Sequence, residues 1–133
     1  MIVPHLSLVK TSNTQTYYTV SEVRQFTIDA DEPISNSGTD LAPTPFDLLN
    51  ASLASCTAIF LRKYAFKNNI DIGRIDIKIK IKKDEIGNFI FDRTISFENE
   101  IQVADKILLL EAIKYTPVTK IITMSQTIQT KIT

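Results

Sequence analysis

The stretch Leu48-Leu-Asn-Ala-Ser-Leu-Ala-Ser-Cys-Thr-Ala-Ile-Phe-Leu61 carries no charge, and the residues just before it start a helix. Thr44 is placed to cap that helix and Pro45 is a favoured first residue. Asp47, three after the cap, makes a capping box with Asp in place of the usual Glu. The helix is predicted to run to about Asn68, where Asn68-Asn69 ends it. A helix that is apolar on nearly all sides has to be covered on nearly all sides. Ala51, Ala54 and Ala58, with Ser52 and Ser55, let other backbones come close, while Arg62, Lys63 and Lys67 return the far end to water and suit the negative end of the helix dipole.

The remaining chain bounds what can supply that cover. Thr16–Val20 and Val23–Ile28 are β-prone, with a turn expected at Ser21-Glu22, and Asp29–Pro43 reads as a loop rich in turn formers. Ile75, Ile77, Ile79 and Ile81 alternate with Asp76, Lys78, Lys80 and Lys82, which predicts a strand with one dry and one wet face. A turn over Asp84–Asn88 leads to Phe89, Phe91, Ile95 and Phe97 on one face of a second strand, so the two form an antiparallel hairpin. Val103–Lys114 is predicted helical, with Val103, Ile107, Leu108 and Leu110 inward. A further short helix starts at Pro117 with Thr116 as its cap, and Thr127–Thr133 alternates like a strand. This order makes the fold class α+β: an antiparallel sheet with a long central helix. At 133 residues the chain reads as one domain over 1–133. One sheet and two short helices cover too little of the central helix. A second copy is expected to complete the cover, in a two-fold homodimer with the long helices packed together.

Fifteen Lys+Arg balance fifteen Asp+Glu. That balance argues against a nucleic-acid partner, whose footprint is a basic excess. The start, Met1-Ile-Val-Pro-His-Leu, lacks the charged and apolar regions of a signal peptide, and Leu48–Leu61 falls short of the roughly 20 apolar residues that cross a bilayer. The chain therefore reads as cytoplasmic, with no membrane partner. One cysteine, Cys56, and one histidine, His5, give no metal-ligand cluster, call for no cofactor, and make no catalytic Ser-His or Cys-His set. Cys56 is the one side chain that could be both nucleophile and redox centre. On an apolar helix such a residue is otherwise a small hydrophobe. A reactive thiol must be largely thiolate. Cys56 lies about three turns into its helix, beyond the reach of the dipole, so a cation from elsewhere is required. Arg93, in strand register with Phe91 and Ile95, is one candidate, and Arg24, on an N-terminal strand that could cross to the dimer mate, is another.

Three blocks together resemble the OsmC/Ohr family of osmotically inducible and organic-hydroperoxide-resistance proteins. They are Asp29-Ala-Asp-Glu-Pro33, Gly38-Thr-Asp-Leu-Ala-Pro-Thr-Pro-Phe-Asp-Leu-Leu49, and Ala54-Ser-Cys-Thr-Ala58. Ile75–Phe97 fits the family's central hairpin and Tyr115-Thr-Pro-Val-Thr-Lys120 its second motif. The resemblance implies an intertwined homodimer with sites at the subunit interface. It also implies a peroxidase chemistry in which a first thiol becomes a sulfenic acid and a second condenses with it. Cys56 matches the first thiol, and Thr116 stands where the second belongs. Phe46 takes the place of the acid that follows the helix-starting proline in the peroxidase branch, with Asp47 one later. The expected pocket comprises Phe46, Asp47, Leu49, Tyr115 and Thr116, its walls apolar enough to favour a small hydrophobic peroxide, with an external thiol as reductant. The alternative is a non-catalytic dimeric binding protein that holds a small hydrophobic ligand in the same pocket.

Overall fold

The computed structural model describes residues 7–133; the stretch Met1-Ile-Val-Pro-His-Leu and its His5 lie outside the described residues. The chain forms two compact units, Met1–Asn50 and Ala51–Thr133, with the boundary inside the long helix.

The first unit holds a three-stranded antiparallel sheet of β1 (Lys10–Asn13), β2 (Thr19–Val23) and β3 (Phe26–Ala30), in the order β1-β2-β3. The strands differ from the sequence prediction in phase. Val23 pairs with Phe26, so the turn falls on Arg24-Gln25 rather than on Ser21-Glu22. Arg24 takes a positive φ of 52°, the backbone state that closes a two-residue hairpin. After β3 the loop winds around Asp31, whose side chain is 1% exposed. Asp31 Oδ1 accepts the Glu32 N–H at 2.8 Å, and Oδ2 accepts the Thr39 hydroxyl at 2.6 Å and the Leu41 N–H at 3.1 Å. Gly38 is required there by close approach. A Cβ at that position would lie 1.9 Å from the Glu32 carbonyl oxygen.

The long helix α1 spans Pro45–Lys67. Its start is the predicted capping box: the Thr44 hydroxyl accepts the Asp47 N–H at 3.1 Å, and Asp47 Oδ2 accepts the Thr44 N–H at 2.9 Å. In the second unit α1 is followed by the hairpin of β4 (Ile75–Lys83) and β5 (Phe89–Phe97), then by α2 (Val103–Ile113) and α3 (Pro117–Thr123). The hairpin register sets Ile75 against Phe97, Ile77 against Ile95, Ile79 against Arg93 and Ile81 against Phe91. Arg93 thus stands in the middle of the apolar face. The core of this unit is Leu61 and Ala65 of α1, Ile72, Ile101, and Leu109 and Ile113 of α2. Each fully buried Leu or Ile contributes about 2 kcal/mol of transfer free energy.

Two expectations are corrected. On α2 the buried residues are Leu109 and Ile113, whereas Val103, Ile107, Leu108 and Leu110 are exposed in the single chain. Ile107-Leu-Leu-Leu110 is apolar all round, so its pattern carries no phase, and packing against Leu61 and Ile101 selects the face. Thr127–Thr133 forms no strand, and its Ile128 and Ile132 are exposed. A two-residue period becomes a strand only against a partner edge that takes up its N–H and C=O groups, and Thr127–Thr133 is paired with no strand here.

Candidate thiol–guanidinium site

Cys56 and Thr57 sit side by side on α1, Cys56 half-buried and Thr57 fully buried. Thr57 lies on the stripe of α1 that buries Leu53, Leu61 and Ala65, which makes it a polar residue in an apolar row. Its hydroxyl donates back to the Leu53 carbonyl at 2.7 Å. With that proton committed, the oxygen can only accept, and it accepts from Arg93 Nη1 at 3.0 Å. The same nitrogen donates to the Thr119 hydroxyl at 3.1 Å. Thr119 in turn shares a 2.6 Å hydrogen bond with the hydroxyl of Thr116, which is itself fully buried. Three segments therefore converge: the middle of α1, the centre of β5 and the first turn of α3.

Arg93 is half-buried. Burial pushes its guanidinium down from its ordinary value, and the Cys56 sulfur, when charged, acts in the opposite sense. An arginine remains cationic through such a shift. Both Nη1 hydrogens are used by the two threonines. The N–H groups on Nη2 and Nε have no partner among the described residues.

Of the residues singled out from the sequence, Arg93 and Thr116 fall in one cluster, and Arg93, bonded to Thr57 beside Cys56, lies within electrostatic reach of the sulfur. Thr116 occupies the cap position of α3 as expected, but its hydroxyl makes no capping bond and turns to Thr119 instead. Tyr115, its neighbour, is 70% exposed. Arg24, Phe46, Asp47 and Leu49 belong to the first unit. There Arg24 lies over the Phe26 ring at 5.3 Å, Asp47 serves the capping box, and Phe46 and Leu49 are exposed. Arg62 is engaged elsewhere, donating to the Gly73 carbonyl at 2.5 Å. Thr57 and Thr119 are the members the sequence reading missed. A guanidinium on an otherwise apolar strand face was the available signal, since such a group demands polar company. The second unit also holds a solvent-open cavity of about 550 Å³, bounded in part by Leu61, Ile95, Phe97, Leu109 and Ile113. Cys56, Tyr115 and Thr116 do not line it. Among the described residues no cluster of His, Cys, Asp or Glu could hold a metal ion, and no helix is long and apolar enough to cross a membrane.

Comparison with known proteins places this architecture. The OsmC family, described as OsmC-like protein, matches residues 38–131, and the chain belongs to that family. Its fold is shared with a Psychrobacter arcticus protein described as an osmotic stress induced and detoxification response protein, at 22% identity over 90% of each chain with a TM-score of 0.75. The OsmC-like protein of Mycoplasma pneumoniae superposes with a TM-score of 0.72 at 15% identity, over 91% of this chain and 89% of that one. The organic hydroperoxide resistance protein OhrB of Bacillus subtilis does so at 0.62 and 20% identity, over 87% and 89%. No curated protein matches the sequence.

Proposed function

We propose that the protein reduces organic hydroperoxides at Cys56, one thiol at a time, with Arg93 as the cation that serves the sulfur. The observation that carries this reading is the Arg93 guanidinium, held on the apolar face of β5 by Thr57 and Thr119, its Nη2 and Nε hydrogens unpaired among the described residues, within electrostatic reach of the Cys56 sulfur. A thiolate nucleophile is favoured beside a cation, and donors held in place suit the charge that develops on a leaving oxygen.

In the proposed cycle the Cys56 thiolate attacks the terminal peroxide oxygen and the O–O bond breaks. Sulfur is oxidised by two electrons to the sulfenic acid, and the alkoxide leaves and takes a proton from water to become the alcohol. Thr116 cannot resolve the sulfenic acid, so an external thiol condenses with it, releasing water and forming a mixed disulfide. A second thiolate then cleaves that bond, which restores Cys56 and leaves the two external thiols joined as a disulfide. The family's hydroperoxide-resistance members support the substrate class. The exposed apolar residues of α2 support a homodimer, the state also expected from the uncharged central helix.

The test is direct. In one set of samples Cys56 is alkylated across a pH range; in a separate, unalkylated set the protein is exposed to cumene hydroperoxide with dimedone present, and the adducts of both are weighed by mass spectrometry. The expected result is a sulfenic-acid adduct on the wild type and none on Cys56→Ser. A thiol that alkylates as free cysteine does and gives no adduct removes the peroxidase reading. It would leave the binding protein, which the loss of a second thiol at Thr116 favours.

A further inference from the structure

We infer that Thr57 and Thr119 form a hydroxyl clamp that fixes Arg93 through Nη1 alone, so that Nη2 and Nε are kept as the donors for the Cys56 sulfur and the peroxide oxygens. The inference rests on the reading of Cys56 as the reacting thiol and assigns both threonines as positioning residues.

The protons on Thr57 and on Arg93 Nη1 each have one acceptor. Thr57 Oγ1 gives its proton to the Leu53 carbonyl and so can only receive from Arg93. Thr119 Oγ1 receives the other Nη1 hydrogen and exchanges one further hydrogen bond with Thr116. A guanidinium is planar, so two bonds from one terminal nitrogen to anchors on different elements fix the plane as well as the position. Both anchors are neutral. A carboxylate in either place would compete with the sulfur for the cation, whereas a hydroxyl holds the group without cancelling its charge. Thr116 gains a defined task on this account. At the position where the resemblance expects a second thiol, it buttresses Thr119, and its full burial suits a support rather than a group that meets substrate.

The experiment compares Thr119→Val, which keeps the shape and deletes the hydroxyl, with Thr119→Ser, which keeps the hydroxyl. Arg93→Met runs beside them, and circular dichroism checks each fold. The readouts are the rate of Cys56 oxidation by cumene hydroperoxide and the dependence of Cys56 alkylation on pH. Loss of one hydrogen bond to a charged group predicts about a tenfold slower oxidation in Thr119→Val. The same variant should show an alkylation profile moved to higher pH, and Thr119→Ser should keep most of the wild-type rate and its profile. If Thr119→Val does not fold, Thr119→Ala is judged by the same criteria. A Thr119→Val protein indistinguishable from wild type, while Arg93→Met is slow, overturns the clamp and leaves the thiol–guanidinium reading standing. Equal damage from the Ser and Val variants also overturns it, since packing rather than the hydroxyl would then matter. Wild-type behaviour in Arg93→Met overturns the reading itself, and the clamp with it.

Discussion

Asp31 in the first unit and Arg93 in the second are both charged groups withdrawn from water and held by hydroxyls, yet they end in different states. Asp31 is saturated. Its two oxygens take three hydrogen bonds from Glu32, Thr39 and Leu41, and it is 1% exposed. All three of those donors lie within ten residues of it along the chain, so its bonds organise its own loop. Arg93 is held by one nitrogen and keeps the rest of its fork without protein partners among the described residues. The difference teaches that the same withdrawal from water can be answered by local backbone donors that order a loop or by distant hydroxyls that join separate elements.

The largest way to break the Asp31 side of this comparison is Gly38→Ala. Its Cβ would meet the Glu32 carbonyl at 1.9 Å, and Glu32 carries one of the N–H groups that Asp31 accepts. Overpacking against backbone costs about 3 kcal/mol, to be read as a lowered denaturant midpoint with an unchanged slope. A midpoint within error of wild type would mean that the loop yields freely and that Asp31 does not order it. The Arg93 side is challenged more gently by Thr57→Val. The isosteric swap leaves one Nη1 hydrogen without its acceptor and costs about 1.5 kcal/mol in chemical denaturation. Thr57→Ser, which restores the acceptor and removes one methyl, should lose about 0.8 kcal/mol. If Val proves less damaging than Ser, the buried hydroxyl is a passenger and the two charges do not differ as described.

How much of this was legible in the sequence depends on how local each signal is. The capping box at Thr44 and Asp47 and the alternation from Ile75 to Ile81 are written within a few residues, and both formed as expected. Arg93 could be named because a strand's two-residue period places it with Phe91 and Ile95. Arg24 was an equal candidate, because a sequence does not say which distant cation serves a given helix position. The turn before β3 was misplaced because Arg24 adopts a positive φ that nothing in Val23-Arg-Gln-Phe26 advertises. The burial phase of α2 was lost for the opposite reason: four consecutive apolar residues fit any phase. Thr57 and Thr119 were invisible because a threonine hydroxyl gains meaning only from its partner. The partner they share, Arg93, is 36 residues from Thr57 and 26 from Thr119 in the chain.

The last and smallest test sharpens the comparison by changing only protons. The Thr39 hydroxyl bond holds the Asp31 carboxyl below its ordinary range, against the opposing effect of burial, with the Leu41 and Glu32 N–H groups adding to the hold. A carboxyl lowered in the folded state means that the unfolded chain binds more protons. The stabilisation from Asp31 is therefore complete above its unfolded value of about 3.9 and is lost as pH falls through the folded value. Arg93 titrates far above this window and contributes nothing to it. Wild-type protein should lose stability between neutral pH and about pH 3.5 more steeply than Asp31→Asn, in which position 31 carries no titrating group. Denaturant midpoints at both pH values for both proteins give the comparison. Parallel losses would show that other carboxylates carry the acid sensitivity and that the saturated bonds around Asp31 do not favour its charged form.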